Sequence, residues 1–468
     1  MATRRDQLQS YQFMTQRVIS AFVMRETDPA QSPLRRGIGA IFGGVMIAIL
    51  VGAGFGVYGI LTKVGTDKWR TEGSVVIEKE TGASFVYIGD ALHPTLNYAS
   101  AMLAAGRPNP PVFRVAANSL GKAKRGITVG IPGAPDSLPS AKKRAGLPWS
   151  ACAVPGGRGA GQPANDTLVA VSVAPEGGRV LGDEGLLVRD AKQERTYLLW
   201  HGRRHLLQQS NVVVTTLFGA ATPAEAGSAW LNTVPAGLDI GTIPVPGRGE
   251  TSKAVPTYKI GDVLVSTTGT GKQFYLVFDD GLAPITAVQQ LILQADQNTK
   301  PIDVGVSETT DAPRSARLRP DNTAGQPPAT PPTLVSPAGD EQLCAVTGDA
   351  AAPPQLVVGG TLPGADAATV TVGGGAGGTA LADRVLVPAG RVAIVRVMTG
   401  PNAAAGPHYV ITDLGIKYAV PSGDALQLLG YTPGQAVAVP TALVSRIPSG
   451  PALDPAAALL PALNATGR

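Results

Sequence analysis

The stretch IGAIFGGVMIAILVGAGFGVYGIL, from Ile38 to Leu61, decides how the rest of the chain is arranged. It runs for 24 residues without a charge, and a helix of that length rises about 36 Å, enough to cross the ~30 Å hydrocarbon core of a membrane. A cleaved signal peptide is the alternative, but its apolar region would be shorter, and no small-residue cleavage site follows Leu61. The stretch therefore predicts one retained transmembrane helix.

One face of this helix consists of small residues. Gly44, Ala48, Gly52 and Gly56 recur every four residues, a spacing that places them on one side of a helix and lets a second helix approach closely. The alternative is that glycine is simply common in membrane helices. We expect this ridge of small residues to pack against another helix.

The charges on either side of the helix indicate its orientation. Residues 1–37 hold six arginines and three acidic residues, and Arg35 and Arg36 lie next to the membrane. The residues that follow the helix are mixed in sign. The positive-inside rule therefore predicts a cytosolic N-terminus and roughly 400 residues outside the cytoplasmic membrane.

The cytosolic arm itself has a helical pattern over residues 7–24. Apolar residues recur at helical spacing, and Thr3 ahead of Asp6 is a candidate N-cap. The polar face carries Gln and Thr rather than a dense row of lysines, so we favour docking on a partner over lying on the membrane surface. The apolar positions are Leu8, Tyr11, Met14 or Thr15, Val18 and Phe22.

The charge balance of the exterior argues against a nucleic-acid partner. The chain has 39 basic and 34 acidic residues; the arm takes six and three of these, which leaves 33 and 31. An almost neutral exterior lacks the basic footprint of a nucleic-acid-binding protein. Its 58 glycines, 40 prolines and only 5% aromatic residues instead predict many turns, short elements and several small cores.

The chain has two cysteines, Cys152 and Cys344. Both belong to the predicted exterior, an oxidising compartment in which thiols pair. We therefore predict one disulfide. Two unpaired buried thiols remain the alternative.

Four segments of the exterior share one pattern. Each starts with an aromatic residue, continues as a short apolar run, turns at a polar or glycine-containing tip and enters a second apolar run, which predicts a β-hairpin. The segments are FVYIGDALHPTL from Phe85, YLLWHGRRHLLQ from Tyr197, YLVFDDGLAPIT from Tyr275 and YVITDLGIKYAV from Tyr409.

A short helical pattern follows each hairpin, and three of the four end in glycine. These patterns are NYASAMLAAG (97–106), SNVVVTTLFG (210–219), TAVQQLILQADQ (286–297), which lacks the glycine, and SGDALQLLG (422–430). Further on, AWLNTVPAG (229–237) and ALVSRIPSG (442–450) align without a gap. We predict four modules of hairpin, helix and closing element, each of about 45 residues and too small for a large core.

Material outside the repeats contains both cysteines, so a bridge between them would join two distant segments into one central domain with two modules inserted between its halves. The predicted fold class is α+β, with a cytosolic helix, a transmembrane helix and four small α/β modules around a disulfide-braced, β-rich central domain. The predicted bounds are an arm at 1–37, the membrane helix at 38–61, module 1 at 72–131, the first half of the central domain at 132–192, module 2 at 193–249, module 3 at 250–307, a proline-rich linker at 308–338, the second half of the central domain at 339–400, module 4 at 401–450 and an Ala/Pro-rich tail at 451–468, which we expect to fray.

One segment, STTGTGKQF (266–274), is similar to a phosphate-binding loop. Such a loop needs glycine where Ser266 stands, needs Ser or Thr where Gln273 stands, and leads from a strand into a helix. A strand-like run follows here instead. We interpret the segment as a hairpin turn.

No other pattern predicts a catalytic, cofactor or metal site. His201 and His205 are four residues apart, but the repeat alignment places them around a turn with no third ligand nearby. Asp279, Asp280 and Asp413 fall at hairpin tips, where aspartate is favoured for turn hydrogen bonds. We predict a protein without enzymatic activity.

Longer segments resemble a known family, the EccB subunit of the actinobacterial type VII (ESX) secretion system. The resemblance is carried by VGIPGAPDSLPS (129–140), PWSACAV (148–154), AWLNTVPAGLDI and PVPGRG within 229–249, VLVPAGRVAIVR (385–396), and VITDLGIKYAVPSGDALQLLGY and VPTALVSRIPSGPALDPAAA within 410–458. Tyr11, Phe13 and Arg17 are also similar to the family's N-terminal segment.

The resemblance implies a core membrane component that assembles with the EccC motor ATPase, EccD and EccE and that self-associates. It implies an elongated exterior in which Cys152 and Cys344 correspond to the family's bridged pair. Some members carry an ATPase name, which these residues do not support. The modules are also similar to cell-wall-binding modules of phage lysins, so an extracytoplasmic ATPase and a peptidoglycan-binding protein are the alternatives to a structural subunit.

Overall fold

The structure, a computed structural model, describes residues 3–25, 34–61, 67–155, 165–190, 192–298, 300–318, 325–339, 341–371, 378–400, 403 and 406–462. The chain divides into two compact units, residues 1–70 and residues 71–468. The described part of the first unit is helical, whereas that of the second unit consists of five β-sheets with short helices. This mixture is the predicted α+β fold class.

The first unit contains the helices α1 (Arg4–Met24) and α2 (Leu34–Leu61). The carboxylate of Asp6 accepts hydrogen bonds from the backbone N–H and the hydroxyl of Thr3, which confirms the predicted cap of α1. Within α2, Gly37–Tyr58 has a mean hydropathy of 2.3, and among the described residues it is the one segment long and apolar enough to cross a membrane.

The second unit begins with module 1 and the first strands of the central domain. Module 1 consists of β1 (Ser74–Glu78), β2 (Ser84–Ile88), β3 (Ala91–Pro94), α3 (Tyr98–Ala104), β4 (Val112–Val115) and α4 (Ala117–Leu120). The central strands β5 (Trp149–Pro155), β6 (Asn165–Val171) and β7 (Arg179–Val180) follow.

Modules 2 and 3 come next in the chain. Module 2 consists of β8 (Gly185–Asp190), β9 (Arg195–Trp200), β10 (Arg203–Leu206), α5 (Ser210–Phe218), β11 (Ala224–Ala226) and α6 (Ser228–Leu231). Module 3 consists of β12 (Val263–Thr268), β13 (Gly271–Phe278), β14 (Gly281–Ile285), α7 (Ala287–Gln297), β15 (Ile302–Asp303) and α8 (Val306–Asp311).

The chain then returns to the central domain and ends with module 4. The strand β16 (Leu334–Val335) pairs with β8, and the central strands β17 (Leu343–Thr347), β18 (Gln355–Val358), β19 (Thr369–Val370) and β20 (Arg384–Leu386) follow it. Module 4 consists of β21 (Val392–Met398), β22 (His408–Thr412), β23 (Lys417–Val420), α9 (Gly423–Leu428), β24 (Val437–Pro440), α10 (Thr441–Val444) and α11 (Pro455–Ala458).

All four modules are built in the same way. Three antiparallel strands are followed by a helix, and a fourth strand then pairs in parallel with the first, so module 1 has the order β3-β2-β1-β4 and the others repeat it. A parallel pair needs a crossover connection, and the helix supplies it. The hairpins and helices that the repeat predicted are therefore present in every copy.

The central sheet combines strands from two distant parts of the chain. Its order is β19-β20-β6-β5-β17-β18-β7. Two strands from 343–386 are therefore followed by two from 149–180, then by two more from 343–386 and by one from 149–180. Modules 2 and 3 occupy the sequence between these parts.

The modules share hydrophobic cores in pairs. Modules 1 and 4 bury residues from both sheets in one cluster that includes Val86 and Val410, and modules 2 and 3 pack helix α5 against α7 through Val213 and Ile292. One face of the central sheet packs against modules 2 and 4 around Trp149 and Trp230. No module therefore relies on its own small core alone.

Two sheets begin earlier in the chain than the predicted module bounds. Strand β8 pairs with β9 although it lies in the segment assigned to the central domain at 132–192, and β21 pairs with β22 although it lies in 339–400. In the proline-rich segment 308–338, Arg314 bridges to Leu282 of module 3, and β16 joins the sheet of module 2. The module bounds remain a proposal, and these pairings favour starting modules 2 and 4 one strand earlier.

The expectation that the C-terminal tail frays is wrong for residues 451–462. Leu453 and Ala458 are fully buried in the core that modules 1 and 4 share. The backbone of this segment bonds to module 1, where Ala462 N–H donates to Thr128 O (2.9 Å) and Gly130 N–H donates to Leu460 O (3.3 Å). The buried leucine outweighs the Ala/Pro-rich composition that suggested disorder. Residues 463–468 lie outside the described part of the chain.

Candidate functional site

The disulfide joins neighbouring strands of the central sheet. Cys152 on β5 and Cys344 on β17 are bridged, and the register places them directly opposite each other. Both are buried among apolar side chains that include Val154 and Leu168. Because the two strands come from the two halves of the split sheet, the bridge fastens one half to the other.

Each module is closed by a short segment that runs beside its third strand. In module 2, Arg204 N–H donates to Pro235 O and Gly237 N–H donates to Arg204 O (both 2.9 Å). In module 4, Lys417 N–H donates to Pro448 O (2.9 Å) and Gly450 N–H donates to Lys417 O (2.8 Å). The alignment of Pro235 with Pro448 and of Gly237 with Gly450 is thus confirmed.

Modules 1 and 3 have the same closing segment, which the sequence did not reveal. Leu92 bonds to Lys124 and Gly126 in module 1, and Leu282 bonds to Pro313 and Ser315 in module 3, through the same pair of backbone groups. These copies keep only part of the proline–glycine pattern. The four closing segments therefore share a pair of backbone hydrogen bonds rather than a sequence pattern.

The glycine of the closing segment makes room for a ring on the third strand. A Cβ atom added to Gly237 would lie 2.3 Å from Cε1 of His205, and one added to Gly450 would lie 2.3 Å from Cε1 of Tyr418. In module 3 the corresponding residues are Ala283 and Ser315, so a small side chain on the strand allows a larger one on the segment. Ring and glycine therefore form a complementary pair.

The aromatic residues that begin the repeats also have a common structural use in three modules. An arginine guanidinium lies over each ring, at 4.8 Å for Arg125 on Phe85, 5.5 Å for Arg204 on Tyr197 and 5.0 Å for Arg314 on Tyr275. Such cation–π contacts stabilise by about 0.5–1 kcal/mol at exposed sites. They explain these aromatic positions as parts of the fold.

The structure gives His201 and His205 different hydrogen-bond partners. His201 forms the β9–β10 turn, and its Nε2 lies 2.8 Å from Oδ1 of Asp183. The Nδ1 of His205 lies 2.7 Å from Leu238 O, while its Nε2 is buried without a partner in the described structure. Burial lowers the pKa of His205. Among the described residues, no group of three or more His, Cys, Asp or Glu side chains could hold a metal ion.

The segment that is similar to a phosphate-binding loop is a hairpin turn, as predicted. Thr268 pairs with Gly271 across a two-residue turn, and Lys272 lies on β13 opposite Thr267. A phosphate-binding lysine follows a loop that opens a helix. Lys272 instead lies near the start of a β-strand, one residue after the pair that closes the turn.

The aspartates at the hairpin tips have structural partners. Asp279 accepts a hydrogen bond from Nζ of Lys253 (2.9 Å), which lowers the pKa of the carboxyl, and Asp280 pairs with Arg317 (3.4 Å). Asp413 accepts a hydrogen bond from Gly390 N–H (2.7 Å). These contacts join the carboxylates to neighbouring segments rather than to the backbone of their own turns.

Module 4 contains a buried lysine that faces no described acidic group. Nζ of Lys417 donates to Val444 O (2.7 Å), at the end of α10. Burial and the nearby Arg446 lower the pKa of Lys417 to about 8. Arg446 donates to Ala442 O (3.3 Å) and to Ala380 O, which belongs to the segment before β20. The two cations thus fasten the end of module 4 through carbonyl groups.

The small-residue ridge of α2 is open in the part of the chain that the structure describes. A Cβ atom added to Gly44, Gly52 or Gly56 would meet no other described atom within 4 Å, and Ala48 is exposed. On α1, Leu8, Tyr11, Met14, Val18 and Phe22 are also exposed. Contacts within the described chain therefore do not explain either surface, and the helix-packing role of the ridge remains a prediction.

Comparison with known proteins places these features in a family. Residues 1–463 match the family model described as "Type VII secretion system ESX-1, transport TM domain B". The ESX-3 secretion system ATPase EccB3 of Mycobacterium tuberculosis is 28% identical over 490 residues, which cover 97% of this chain and 89% of that protein. The ESX-2 secretion system ATPase EccB2 of the same organism is 30% identical over 424 residues, covering 83% and 81%.

Solved structures agree with the sequence relatives. A chain of the intact ESX-5 inner membrane complex has a TM-score of 0.65 and 26% identity, with 100% of this chain and 97% of that chain covered. The EccB3 dimer from the ESX-3 core complex gives a TM-score of 0.62 and 26% identity, covering 83% and 100%. With its candidate membrane helix, bridged central sheet and four modules, the chain belongs to the EccB family of type VII secretion systems.

Proposed function

We propose that the chain is a structural component of a type VII secretion membrane complex and supports protein export across the cytoplasmic membrane. The observation that carries this proposal is the similarity of the whole chain to a subunit of the ESX-5 inner membrane complex. The described fold offers strands, closing segments and shared cores, and Lys417 and the aspartates at the hairpin tips have structural partners. This is the organisation of a scaffold.

The proposed orientation places residues 1–37 in the cytosol and the second unit outside. The arginine-rich arm supports it through the positive-inside rule. The Cys152–Cys344 bridge supports it independently, because disulfides persist in oxidising compartments.

The proposed partners are the EccC motor ATPase, EccD and EccE, together with further copies of this chain. The open ridge on α2 suits a second transmembrane helix, and the exposed apolar side chains of α1 suit a cytosolic partner surface. The nearly balanced 33 basic and 31 acidic residues after the arm support a complex without nucleic acid. Peptidoglycan contact is the weaker alternative.

We propose that the chain is not itself the energy source, although relatives carry the name ATPase. The position of Lys272 within a β-hairpin supports this, because it leaves the segment without the helix that a phosphate-binding loop needs. Purified protein should show no ATP hydrolysis above that of a Lys272→Ala variant. Hydrolysis that this variant abolishes would contradict the proposal.

The decisive experiment is purification of the full chain from its native membrane in mild detergent, followed by mass spectrometry. We expect EccC, EccD and EccE to copurify in fixed ratios. A matched variant lacking residues 1–25 should keep its place in the membrane and lose cytosolic partners. Recovery of the full chain alone, or with cell-wall fragments only, would overturn the structural assignment.

A further inference from the structure

The proline-rich segment that returns from module 3 includes PPATPPT, residues 327–333. It forms neither helix nor strand and bends at Ala329 and Thr330. Proline locks its own φ and disfavours helical backbone in the residue before it, so the backbone of Thr330, which precedes Pro331, is restricted. The segment is stiff because of its composition.

Hydrogen bonds fix this segment to modules 2 and 3. Ala329 O accepts from Val288 N–H (3.2 Å) near the start of α7, and Thr333 O accepts from Gly185 N–H (2.9 Å) at the start of β8. Pro328 is buried, and Pro332 packs so closely on Gly185 that a Cβ added there would lie 2.9 Å from its Cγ. One side of the segment therefore packs against modules 2 and 3.

The other side presents two threonine hydroxyls. Thr330 and Thr333 are exposed, and none of the described residues forms a hydrogen bond with either hydroxyl. Two other threonines differ in this respect. Thr310 Oγ1 donates to Val306 O (2.8 Å), and Thr441 Oγ1, which follows Pro440, donates to Met398 O (2.9 Å). The hydroxyls of Thr330 and Thr333 have no such use in the fold.

Exposed threonines among prolines in an exported segment without helix or strand are the acceptor pattern of O-glycosylation. We propose that Thr330, with Thr333 as a second acceptor, carries an O-linked hexose. The proposal rests on the exterior orientation inferred above, because the sugar would be added outside the cytoplasm. There the donor is a hexose carried on a polyprenyl phosphate.

The chemistry needs only the threonine, the donor and a separate glycosyltransferase. Oγ1 of Thr330 attacks the anomeric carbon, the new C1–O glycosidic bond forms, and the bond from C1 to the phosphate oxygen breaks. Polyprenyl phosphate leaves, and a base of the transferase takes the hydroxyl proton. No oxidation or reduction is involved.

The test uses the full chain purified from the membrane of its native host and digested before aspartate. Cleavage before Asp321 and Asp340 releases residues 321–339, and cleavage before Asp303 and Asp311 releases residues 303–310 as an internal control with Thr309 and Thr310. We expect peptide 321–339 to carry whole hexose units that fragmentation assigns to Thr330 and Thr333. Peptide 303–310 should have its unmodified mass.

Substitutions identify the acceptor. Thr330→Val should remove the sugar from that position, Thr330→Ser should keep it because serine offers the same hydroxyl, and a Thr330→Val/Thr333→Val double variant should give an unmodified peptide. Sugar that persists in the double variant would lie on Thr323 or Ser336 and would overturn the assignment.

The oxidation state of Cys152 and Cys344 in the same preparation distinguishes a failure of the glycosylation proposal from a failure of the proposed orientation. An unmodified peptide 321–339 in protein whose Cys152 and Cys344 are bridged would overturn the glycosylation site and leave the orientation intact. An unmodified peptide with two free thiols would overturn both.

Discussion

Cys152 and Cys344 are partners in the antiparallel ladder of β5 and β17, with their Cα atoms 4.1 Å apart although 192 positions separate them in the chain. Directly opposed residues of the non-hydrogen-bonded type lie about 4.5 Å apart at Cα. The sheet register thus holds the two thiols together before any bond forms, and the bridge acts on the junction between the two halves of the central sheet.

Removing this bridge should destabilise the central sheet. A Cys152→Ala/Cys344→Ala variant loses the loop-closure contribution of a cross-link over 192 positions, about 5 kcal/mol as an upper bound because real bridges deliver less than the loop-entropy model gives. Urea unfolding of the solubilised chain measures the loss. Wild-type protein under reducing conditions is the matched control and should unfold like the variant; equal stability of oxidised and reduced wild type would contradict the role given to the bridge.

Filling the ridge on α2 should weaken assembly without preventing membrane insertion. In Gly44→Leu/Gly52→Leu, the larger side chains would hold a neighbouring helix away from the backbone, so we expect recovery of the complex in mild detergent to fall several-fold. Val45→Leu/Ile49→Leu, at apolar positions outside the ridge, is the control and should assemble normally. If both variants assemble equally well, the helix does not pack through its glycines.

The ring and glycine of module 2 should behave as one unit. Gly237→Ala places a methyl group 2.3 Å from the His205 ring, and overpacking of this kind costs about 1–3 kcal/mol. His205→Ala should relieve the overlap, so the double variant should be more stable than the sum of the single changes predicts. Thermal unfolding of the four proteins provides the cycle. Strict additivity would show that the ring moves aside at no cost.

Lys417 should make the free energy of unfolding rise with pH in the alkaline range. Its pKa is 10.5 in the unfolded chain and about 8 in the folded one, so between these values the unfolded state binds more protons and the free energy of unfolding rises with pH. Lys417→Met should remove that rise. Unfolding measured from pH 7.5 to 10 tests it, with Lys259→Met at an exposed position as the control; the window ends below the titration of the buried tyrosines. A rise that survives in Lys417→Met would mean that another group is responsible.

The sequence predicted the hairpins and helices because their signals are local. A polar tip between apolar runs, as at His201 and Gly202, specifies a turn regardless of what packs beside it, and glycine after the helix supplies the positive φ that Gly219 adopts. In the one copy without that glycine, Asn298 also has a positive φ and takes the left-handed conformation. The small-residue ridge was also predictable, because the spacing of its residues alone indicates it. The cysteine pair was predictable because thiols pair in an oxidising compartment.

The parts that the sequence did not predict depend on distant pairing. Strands β8 and β21 pair antiparallel with their chain neighbours β9 and β22 and in parallel with the more distant β11 and β24, and the six or seven residues of each strand do not say whether it joins the central sheet or the following module. The closing segment of module 3 bonds through backbone groups, so Ser315 could replace glycine without a visible pattern. In the Ala/Pro-rich tail, Leu453 and Ala458 are buried, and two buried side chains are too few to change the average composition of the segment.

The interleaved strand order of the central sheet also sets the order in which the protein can be completed. When residues up to 180 have emerged, β5 and β6 can form a hairpin, but both of its edges face strands that lie beyond residue 342. Modules 2 and 3 emerge before those strands. Apart from β16, which is added to β8 later, all the strands of their sheets are then present. The central sheet is therefore completed after modules 2 and 3. Cys152 remains a free thiol until Cys344, in the last third of the chain, has emerged.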